Sequence, residues 1–127
     1  MIKIKNKDKL SEKEFTMIKI CNLRESGKIK REVYDIRVDR FNKVLGNRFI
    51  MRSEQDRDKV CEQYKAWFTE QIKLKNELVL NELRRIYRIM VKYGKLRLWC
   101  WCAPARCHAE TIKSFLESAH NSVNNKA

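Results

Sequence analysis

The chain has few of the residues that make tight turns: three glycines and one proline among 127 residues. A β-sandwich or barrel needs many such turns, so this composition disfavours both folds. The sequence also lacks an apolar run near the roughly 18 residues that span a membrane, and residues 1–5 lack the apolar core of a signal peptide. We therefore expect one soluble, cytoplasmic domain with no membrane partner.

The cysteines are too unevenly placed for a disulfide framework, because their number is odd and three of the five fall within residues 96–108. Cys21 and Cys61 lie on apolar faces, where free cysteine is a common small core residue. Residues 96–108, here called the Cys-rich segment, also hold one of the two histidines, two of the three tryptophans and the only proline. The chain therefore concentrates its chemistry in this segment.

Acidic residues are outnumbered, since 29 lysines and arginines against 16 aspartates and glutamates give a net charge of +13. Such a field attracts nucleic acid, nucleotides or acidic proteins and speeds their association. The positive residues are spread along the whole chain, as they also are on an ordinary solvated surface. The charge therefore makes nucleic acid a candidate partner without locating a binding site.

Hydrophobic periodicity predicts the secondary structure. Three stretches have the apolar pattern of strands: residues 16–23, 32–38 and 96–102. Helical spacing predicts a helix that begins near Ser53, a second helix that stops at Gly94 and a last helix that begins near Cys107. No glycine or proline separates the first two, so one bent helix of about 40 residues stays open as an alternative.

The order of these elements, β-β-α-α-β-α, suits an α/β fold. We expect a single small domain in which a mostly parallel sheet of three to four strands is flanked by about three helices. This domain should span residues 16–120. Residues 1–15 are mostly charged and predict a flexible basic N-terminal arm, and the polar residues 121–127 predict a flexible tail.

An irregular stretch, residues 39–49, separates the second strand from the first helix. Gly46 and Asn47 fit a hairpin turn, because this pair favours the backbone angles of such turns. The alternative is a loop whose exposed backbone amides, together with Arg40 and Arg48, hold an anion. Both interpretations stay open at this point.

The Cys-rich segment is predicted to run from a buried strand through a short loop into the last helix. Cys100 and Cys102 are two residues apart, so they project from one face of the strand, while Trp99 and Trp101 pack into the core on the other. Ligands collect where parallel strands end, and helix N-termini with their free N–H groups favour anions. This junction is therefore the predicted site.

Two reactive chemistries fit the junction. The first is a metal site for zinc, although adjacent side chains seldom converge on one ion. Its ligands would be Cys100, Cys102, Cys107 and His108. The second is a reactive thiol: Cys107, at a helix N-terminus beside Arg106, should have a lowered pKa, with His108 as its acid–base partner. In that case Cys107 and His108 are the catalytic residues.

The third possibility is a binding pocket for a nucleotide-like small molecule, in which the helix N-terminus and nearby arginines hold a phosphate. The predicted ligand-binding residues are Arg40, Gly46, Asn47, Arg48, Cys102 and Arg106. Whether such a pocket also carries out a reaction stays open. The alternative to all three is a tightly packed strand–helix crossing without a ligand.

The junction also carries a family resemblance. Residues 100–110, Cys-Trp-Cys-Ala-Pro-Ala-Arg-Cys-His-Ala-Glu, resemble the C-W-C-x-P-x-x-C-H signature of the domain-of-unknown-function 4326 family of small bacterial and phage proteins. Upstream, Arg40 and residues 45–49 are similar to that family's G-R-P-x-x-x-G-N-P-F segment. A helix of the type R-x-x-V-x-x-x-Y-x-x-W is matched by Arg57, Val60, Tyr64 and Trp67. The departures from the family pattern are Asp39, Phe41 and Arg48.

The resemblance covers about residues 17–119. It implies a compact α/β fold and a pocket built jointly by the loop with Arg40 and Gly46-Asn47 and by the Cys-rich segment. In a phage member, such a pocket is expected to act on nucleotide metabolism or signalling in the host cytoplasm. The leading hypothesis is therefore binding, or also processing, of a phosphorylated nucleotide-type ligand. The alternatives are a basic nucleic-acid-binding accessory protein and a zinc-stabilised protein-interaction module.

Overall fold

The computed structural model describes residues 17–126, so the predicted arm at residues 1–15 lies outside the described part of the chain. The strands are β1 (Ile18–Asn22), β2 (Asp35–Arg37) and β3 (Leu96–Cys100). The α-helices are α1 (Arg57–Lys73), α2 (Glu77–Tyr93) and α3 (Ala109–Lys126). Two 3-10 helices cover Leu23–Lys28 and Glu54–Asp56. No helix in this part of the chain is both long and apolar enough to cross a membrane.

The described strands are all parallel and lie in the order β1-β3-β2, so β3 occupies the middle of the sheet. Leu98 of β3 pairs with Ile20 on one side and with Ile36 on the other. This arrangement confirms the predicted small α/β domain with a parallel sheet flanked by helices. Because parallel strands end at the same edge, the chain leaves all three strands on one side of the molecule.

One face of the sheet is apolar and packs against the helices. Alternate strand residues point to opposite faces. Ile18, Ile36, Leu98 and Cys100 belong to a single buried cluster that includes side chains from all three α-helices. The described domain therefore has two layers, and its core lies between the sheet and the helices.

The other face of the sheet carries a buried carboxylate. Asp35 is 5% exposed and accepts hydrogen bonds from two β3 side chains. The guanidinium of Arg97 binds it at 2.5 and 2.9 Å, and the indole N–H of Trp99 binds it at 2.9 Å. These bonds hold the pKa of Asp35 below its usual value against the opposing effect of burial. They fasten the short strand β2 to the central strand.

The stretch between α1 and α2 shows that these are two helices rather than one. Lys75 has a φ of 57°, a left-handed conformation that interrupts a helix. The side chain of Asn76 then caps α2 by accepting a hydrogen bond from the Leu78 N–H at 3.0 Å. At the other end, Gly94 stops α2 with a φ of 72°, as the sequence predicted.

Local structure differs from the sequence prediction in three places. Gly46 and Asn47 do not form a hairpin, because the described strands are parallel and this pair lies between β2 and α1. β3 ends at Cys100, so Trp101 follows the strand and is 53% exposed instead of packed in the core. α3 continues to Lys126, through residues that the sequence assigned to a tail.

The loop after β2, residues 39–49, is here called the Arg40 loop, and one asparagine folds it on itself. The Asn42 side chain accepts hydrogen bonds from the Val44 and Leu45 N–H groups at 3.1 and 2.9 Å. The Asn42 carbonyl accepts the Gly46 N–H at 2.8 Å. A Cβ atom on Gly46 would lie 2.6 Å from the carbonyl oxygen of Asp39. Only glycine fits at this close approach of two backbone segments.

We predict that Gly46→Ala destabilises the fold by about 2 kcal/mol or more, because the added methyl group meets backbone atoms that cannot move aside. Gly27→Ala is the matched control, since a Cβ there has no atom of the described residues within 4 Å. It should change stability by less than about 0.5 kcal/mol. Urea unfolding of the two variants and the wild type measures both effects. Equal stability of all three proteins would contradict the prediction.

Candidate functional site

A cavity of about 380 Å³ opens at the edge where the strands end. Its walls come from the Arg40 loop and the residues after it, from the start of α1, and from the loop between β3 and α3. Its polar and reactive lining residues are Asp39, Arg40, Asn47, Arg57, Cys102, Arg106, Cys107 and His108. Its apolar lining residues are Phe49, Ile50, Met51, Val60, Cys61 and Trp101. The structure therefore brings the Cys-rich segment together with Arg40 and Asn47 around one cavity.

His108 fixes the two loops of this cavity relative to each other. Its ring is 6% exposed, and its Nε2–H donates to the carbonyl of Val38, the residue after β2. Because a carbonyl only accepts, Nδ1 carries the lone pair, and this nitrogen lies 3.7 Å from the Sγ atom of Cys107. Burial lowers the pKa of His108 below its usual value, so the ring is neutral at pH 7.

Tyr64 of α1 connects the same two loops. Its hydroxyl donates to the carbonyl of Leu45 in the Arg40 loop at 2.6 Å. Its ring packs edge-on against His108, with the ring centroids 4.9 Å apart. Burial raises the pKa of Tyr64, so its hydroxyl stays protonated and keeps this hydrogen bond. Tyr64 is therefore a positioning residue for both walls of the cavity.

Arg57, the first residue of α1, joins that helix to the Cys-rich segment. Its Nη1 donates to the backbone carbonyl of Arg106 at 2.9 Å. Its Nε and Nη2 atoms bind Glu54 at 2.9 and 2.6 Å, and the guanidinium also hydrogen-bonds the thiol of Cys102. The guanidinium N–H groups of Arg57 are thus already bonded to other residues of the protein. The main effect of Arg57 is therefore to hold the cavity wall in place.

Arg106, which the sequence predicted to hold a phosphate, lines the cavity but is paired with carboxylates. Its guanidinium binds Asp58 at 3.1 Å and Glu62 at 2.5 Å, both on the exposed side of α1. The pKa of Glu62 is lowered by this hydrogen bond. An incoming anion would have to compete with two carboxylates for the same donors.

Arg40 is the lining arginine without a carboxylate partner among residues 17–126. Its Nε donates to the carbonyl of Asn47 at 3.0 Å, and its Nη2 donates to the carbonyl of Phe49 at 3.3 Å. These bonds fix the direction of the guanidinium but leave its full positive charge uncompensated. Arg40 is therefore the residue of this cavity best suited to bind an anion.

Two residues that the sequence predicted to bind the ligand do not line the cavity. The guanidinium of Arg48 lies over the ring of Trp67, 3.9 Å from its centroid, and points away from this space. Gly46 is buried beneath its own loop, and its N–H is already bonded to the carbonyl of Asn42. The prediction of a backbone-amide anion site at Gly46 is therefore wrong. Gly46 shapes the loop instead.

The thiols of Cys100 and Cys107 form a buried pair, and Cys107 also lines the cavity. Cys100 accepts hydrogen bonds from the Cys107 thiol and from the backbone N–H groups of Cys102 and Ala103, which lower the pKa of Cys100 to about 6. The same thiol–thiol hydrogen bond, together with burial, raises the pKa of Cys107. The expected thiolate character of Cys107 is therefore wrong, since Cys107 keeps its proton as the donor and the charge resides on Cys100.

The described donor groups do not form a metal centre. Among residues 17–126, no three His, Cys, Asp or Glu side chains are arranged to hold an ion. The Nε2 of His108 is bonded to a carbonyl, and Cys107 is turned toward Cys100 rather than toward Cys102. The zinc interpretation of this segment, and with it the zinc-stabilised module, therefore has no support in the described part of the chain.

A larger groove of about 650 Å³ runs between α1 and α3. It shares Cys61, Arg106 and Cys107 with the cavity, and the rest of its lining is mostly helical side chains such as Phe68, Ile72 and Phe115. Unlike the cavity, it does not include His108 or the Arg40 loop. Size alone therefore does not identify the site, and the convergence of charged and reactive groups favours the smaller cavity.

Sequence reasoning missed three contributors to the site. Asp39 was noted only as a departure from a family pattern, Tyr64 only as part of a helix motif and Trp101 only as a core residue. Asp39 is 7% exposed and accepts hydrogen bonds from Arg37 and from the indole N–H of Trp101. An acidic residue directly after a strand was the available signal, because such positions face the ligand edge of a parallel sheet.

The fold and the cavity define a small two-layer α/β domain with a ligand-sized site at the carboxyl ends of a parallel sheet. A family model described as "Domain of unknown function (DUF4326)" matches residues 21–118, which is most of the chain. The chain therefore belongs to this family, as the resemblance of its sequence motifs predicted. No curated protein and no solved structure matches the chain.

We predict that the folded protein shows a thiolate transition near pH 6 in its absorbance at 240 nm, because the pKa of Cys100 is lowered to about 6. Cys100→Ser should abolish this transition. Cys107→Ala should move it to higher pH, since it removes the thiol that donates to Cys100. Cys61→Ala is the control and should leave it unchanged, because burial raises the pKa of Cys61. A transition that persists in Cys100→Ser would contradict the assignment.

The neutral His108 predicts a loss of stability in acid. Its pKa in the folded protein is lowered from about 6.5. Just below that pH, His108 therefore binds a proton in the unfolded chain but not in the folded protein. The free energy of unfolding should therefore fall as the pH drops from 7.5 through 6.5 toward 5. In His108→Gln, whose amide can still donate to Val38 but does not titrate, this part of the pH dependence should be missing. Urea unfolding at each pH gives the comparison, and parallel curves for the two proteins would refute it.

Proposed function

We propose that this protein binds a phosphorylated nucleotide-type small molecule in the cavity between the Arg40 loop and the Cys-rich segment. One observation carries the proposal: the cavity combines Arg40, which has no carboxylate partner in the described part of the chain, with an exposed apolar wall that includes Ile50 and Trp101. A nucleotide has the matching two halves, an anionic phosphate and a base with a flat aromatic face. The ligand class implies a cytoplasmic location, which is the host cytoplasm if the chain is phage-encoded.

The size and position of the cavity favour a small ligand. Its volume of about 380 Å³ lies at the lower end of the range of about 300–1,000 Å³ that holds cofactor-sized molecules. Trp101 directly follows β3, and Asp39 lies two residues after the end of β2. The cavity therefore lies at the carboxyl edge of the sheet, where α/β domains bind nucleotides. A mononucleotide fits this space, whereas an extended polymer does not.

Arg40 is the proposed phosphate ligand. Its Nε and Nη2 atoms are held by backbone carbonyls, so the guanidinium is oriented before the ligand arrives. A charge-assisted hydrogen bond from a preoriented arginine loses little conformational entropy on binding. The buried Cys107 and neutral His108 lie in the same wall, and the Nδ1 lone pair of His108 is the acid–base group available to a reaction at this site.

Calorimetric titration with nucleoside 5′-mono-, di- and triphosphates tests the proposal. We expect binding to the wild type, and a loss of about 10- to 100-fold in affinity for Arg40→Gln, because the variant removes the charged phosphate donor. Arg48→Gln is the matched control, since it changes an arginine of the same loop that lies outside the cavity. It should bind like the wild type.

Two results would overturn this proposal. One is the absence of binding by any nucleotide at millimolar concentration, and the other is an equal loss of affinity in Arg40→Gln and Arg48→Gln. The second result, together with tight binding of short oligonucleotides that weakens steeply with salt, would instead favour the nucleic-acid-binding alternative. Circular dichroism of each variant verifies that it is folded.

A further inference from the structure

The side chain of Trp101 is held rigidly while much of its surface faces solvent. Its indole N–H donates to Asp39 at 3.0 Å. The Trp101 backbone is fixed as well, because the Asn22 side chain donates to the carbonyls of Trp101 and Ala103 at 3.3 and 2.7 Å. The residue is nevertheless 53% exposed. A flat ligand that covers this exposed aromatic face would remove apolar surface from water, which favours binding.

Asp39, which accepts the hydrogen bond from Trp101, is itself held in one position by other contacts. It is 7% exposed, and Arg37 binds both of its carboxylate oxygens, at 3.0 and 2.5 Å. The hydrogen bonds from Arg37 and Trp101 hold the pKa of Asp39 below its usual value against the effect of burial. The carboxylate is therefore ionised and keeps the indole in one orientation over the physiological pH range.

The surroundings of Trp101 are apolar on the side of the cavity. Ile50 is 64% exposed and Met51 is 36% exposed, and both line the cavity with Trp101. Arg40, the proposed phosphate ligand, follows Asp39 directly in the chain. The anchor of the aromatic ring and the anion-binding side chain thus belong to adjacent residues, at a fixed spacing set by the loop.

We infer that Trp101 is the stacking platform for the base of the ligand, so that the site selects nucleotides over other phosphorylated compounds. This inference rests on the proposed function and assigns the second half of the ligand. Stacking needs a flat aromatic face, which every base offers, and the indole N–H is already occupied by Asp39. Trp101 therefore recognises the presence of a base rather than its identity, and the exposed side chains of Ile50 and Met51 line the same cavity.

Comparison of a nucleoside 5′-monophosphate with ribose 5-phosphate tests this assignment on the full chain, because the two differ only in the base. The wild type should bind the nucleotide about tenfold or more tightly than the sugar phosphate. In Trp101→Leu this ratio should fall to nearly one, while the affinity for ribose 5-phosphate stays within about twofold of the wild type. The nucleotide should also quench tryptophan fluorescence in the wild type and not in Trp101→Leu.

Phe41→Leu is the matched control, since Phe41 is an exposed aromatic residue of the Arg40 loop that does not line the cavity. It should keep the wild-type ratio. A ratio that survives in Trp101→Leu overturns the stacking role while leaving the proposed function intact. An equal loss for both ligands in Trp101→Leu also overturns it, since Trp101 would then only position Arg40. If neither ligand binds the wild type, the proposed function and this inference fail together.

Discussion

The hydrogen bond from His108 to the carbonyl of Val38 is the constraint on which the candidate site depends. It joins the start of α3 to the end of β2, two points 70 residues apart in the sequence. The bond requires a proton on Nε2, and burial beside Tyr64 keeps the ring neutral by lowering its pKa. Because Tyr64 also binds the Arg40 loop through Leu45, one buried cluster determines the distance between the two walls of the cavity.

Two buried carboxylates stabilise different parts of the molecule: Asp35 stabilises the sheet, and Asp39 orients a residue of the candidate site. Asp35 binds an arginine and a tryptophan of β3, and Asp39 binds Arg37 and Trp101 in the same manner four residues later. Removal of either carboxylate would leave a guanidinium and an indole N–H without their partner, which is costly at a buried position. Asp35 and its partners hold the edge strand β2 to β3, whereas Asp39 and Arg37 orient Trp101, whose ring faces solvent.

The position of the cavity could be predicted from the hydrophobic periodicity of the sequence and from the sheet topology that it implies. Parallel strands end at one edge, so the Arg40 loop and the Cys-rich segment had to meet there once the α/β class was recognised. The direction of individual side chains did not follow, because it depends on partners far away in the sequence. Arg48 lies over Trp67, and Arg106 binds Glu62; both partners belong to α1. Neither contact can be predicted from the spacing of neighbouring residues in the sequence. The lowered pKa of Cys100 likewise depends on the backbone amides of Ala103 and of Cys102, which the sequence assigned to the strand.

The distribution of charge around the cavity explains why a net charge of +13 does not by itself favour a nucleic-acid surface at this place. Binding to a polymer gains affinity from several phosphate contacts made at once. In the described part of the chain, Arg57 is paired with Glu54 and Arg106 with Asp58 and Glu62. Arg40 is the remaining lining arginine, and its charge is uncompensated there. One oriented cation beside one fixed aromatic face can hold one phosphate and one ring. Under the proposed function, the long-range field of the other lysines and arginines would speed the encounter with an anion of that size, and the cavity would determine which anion stays bound.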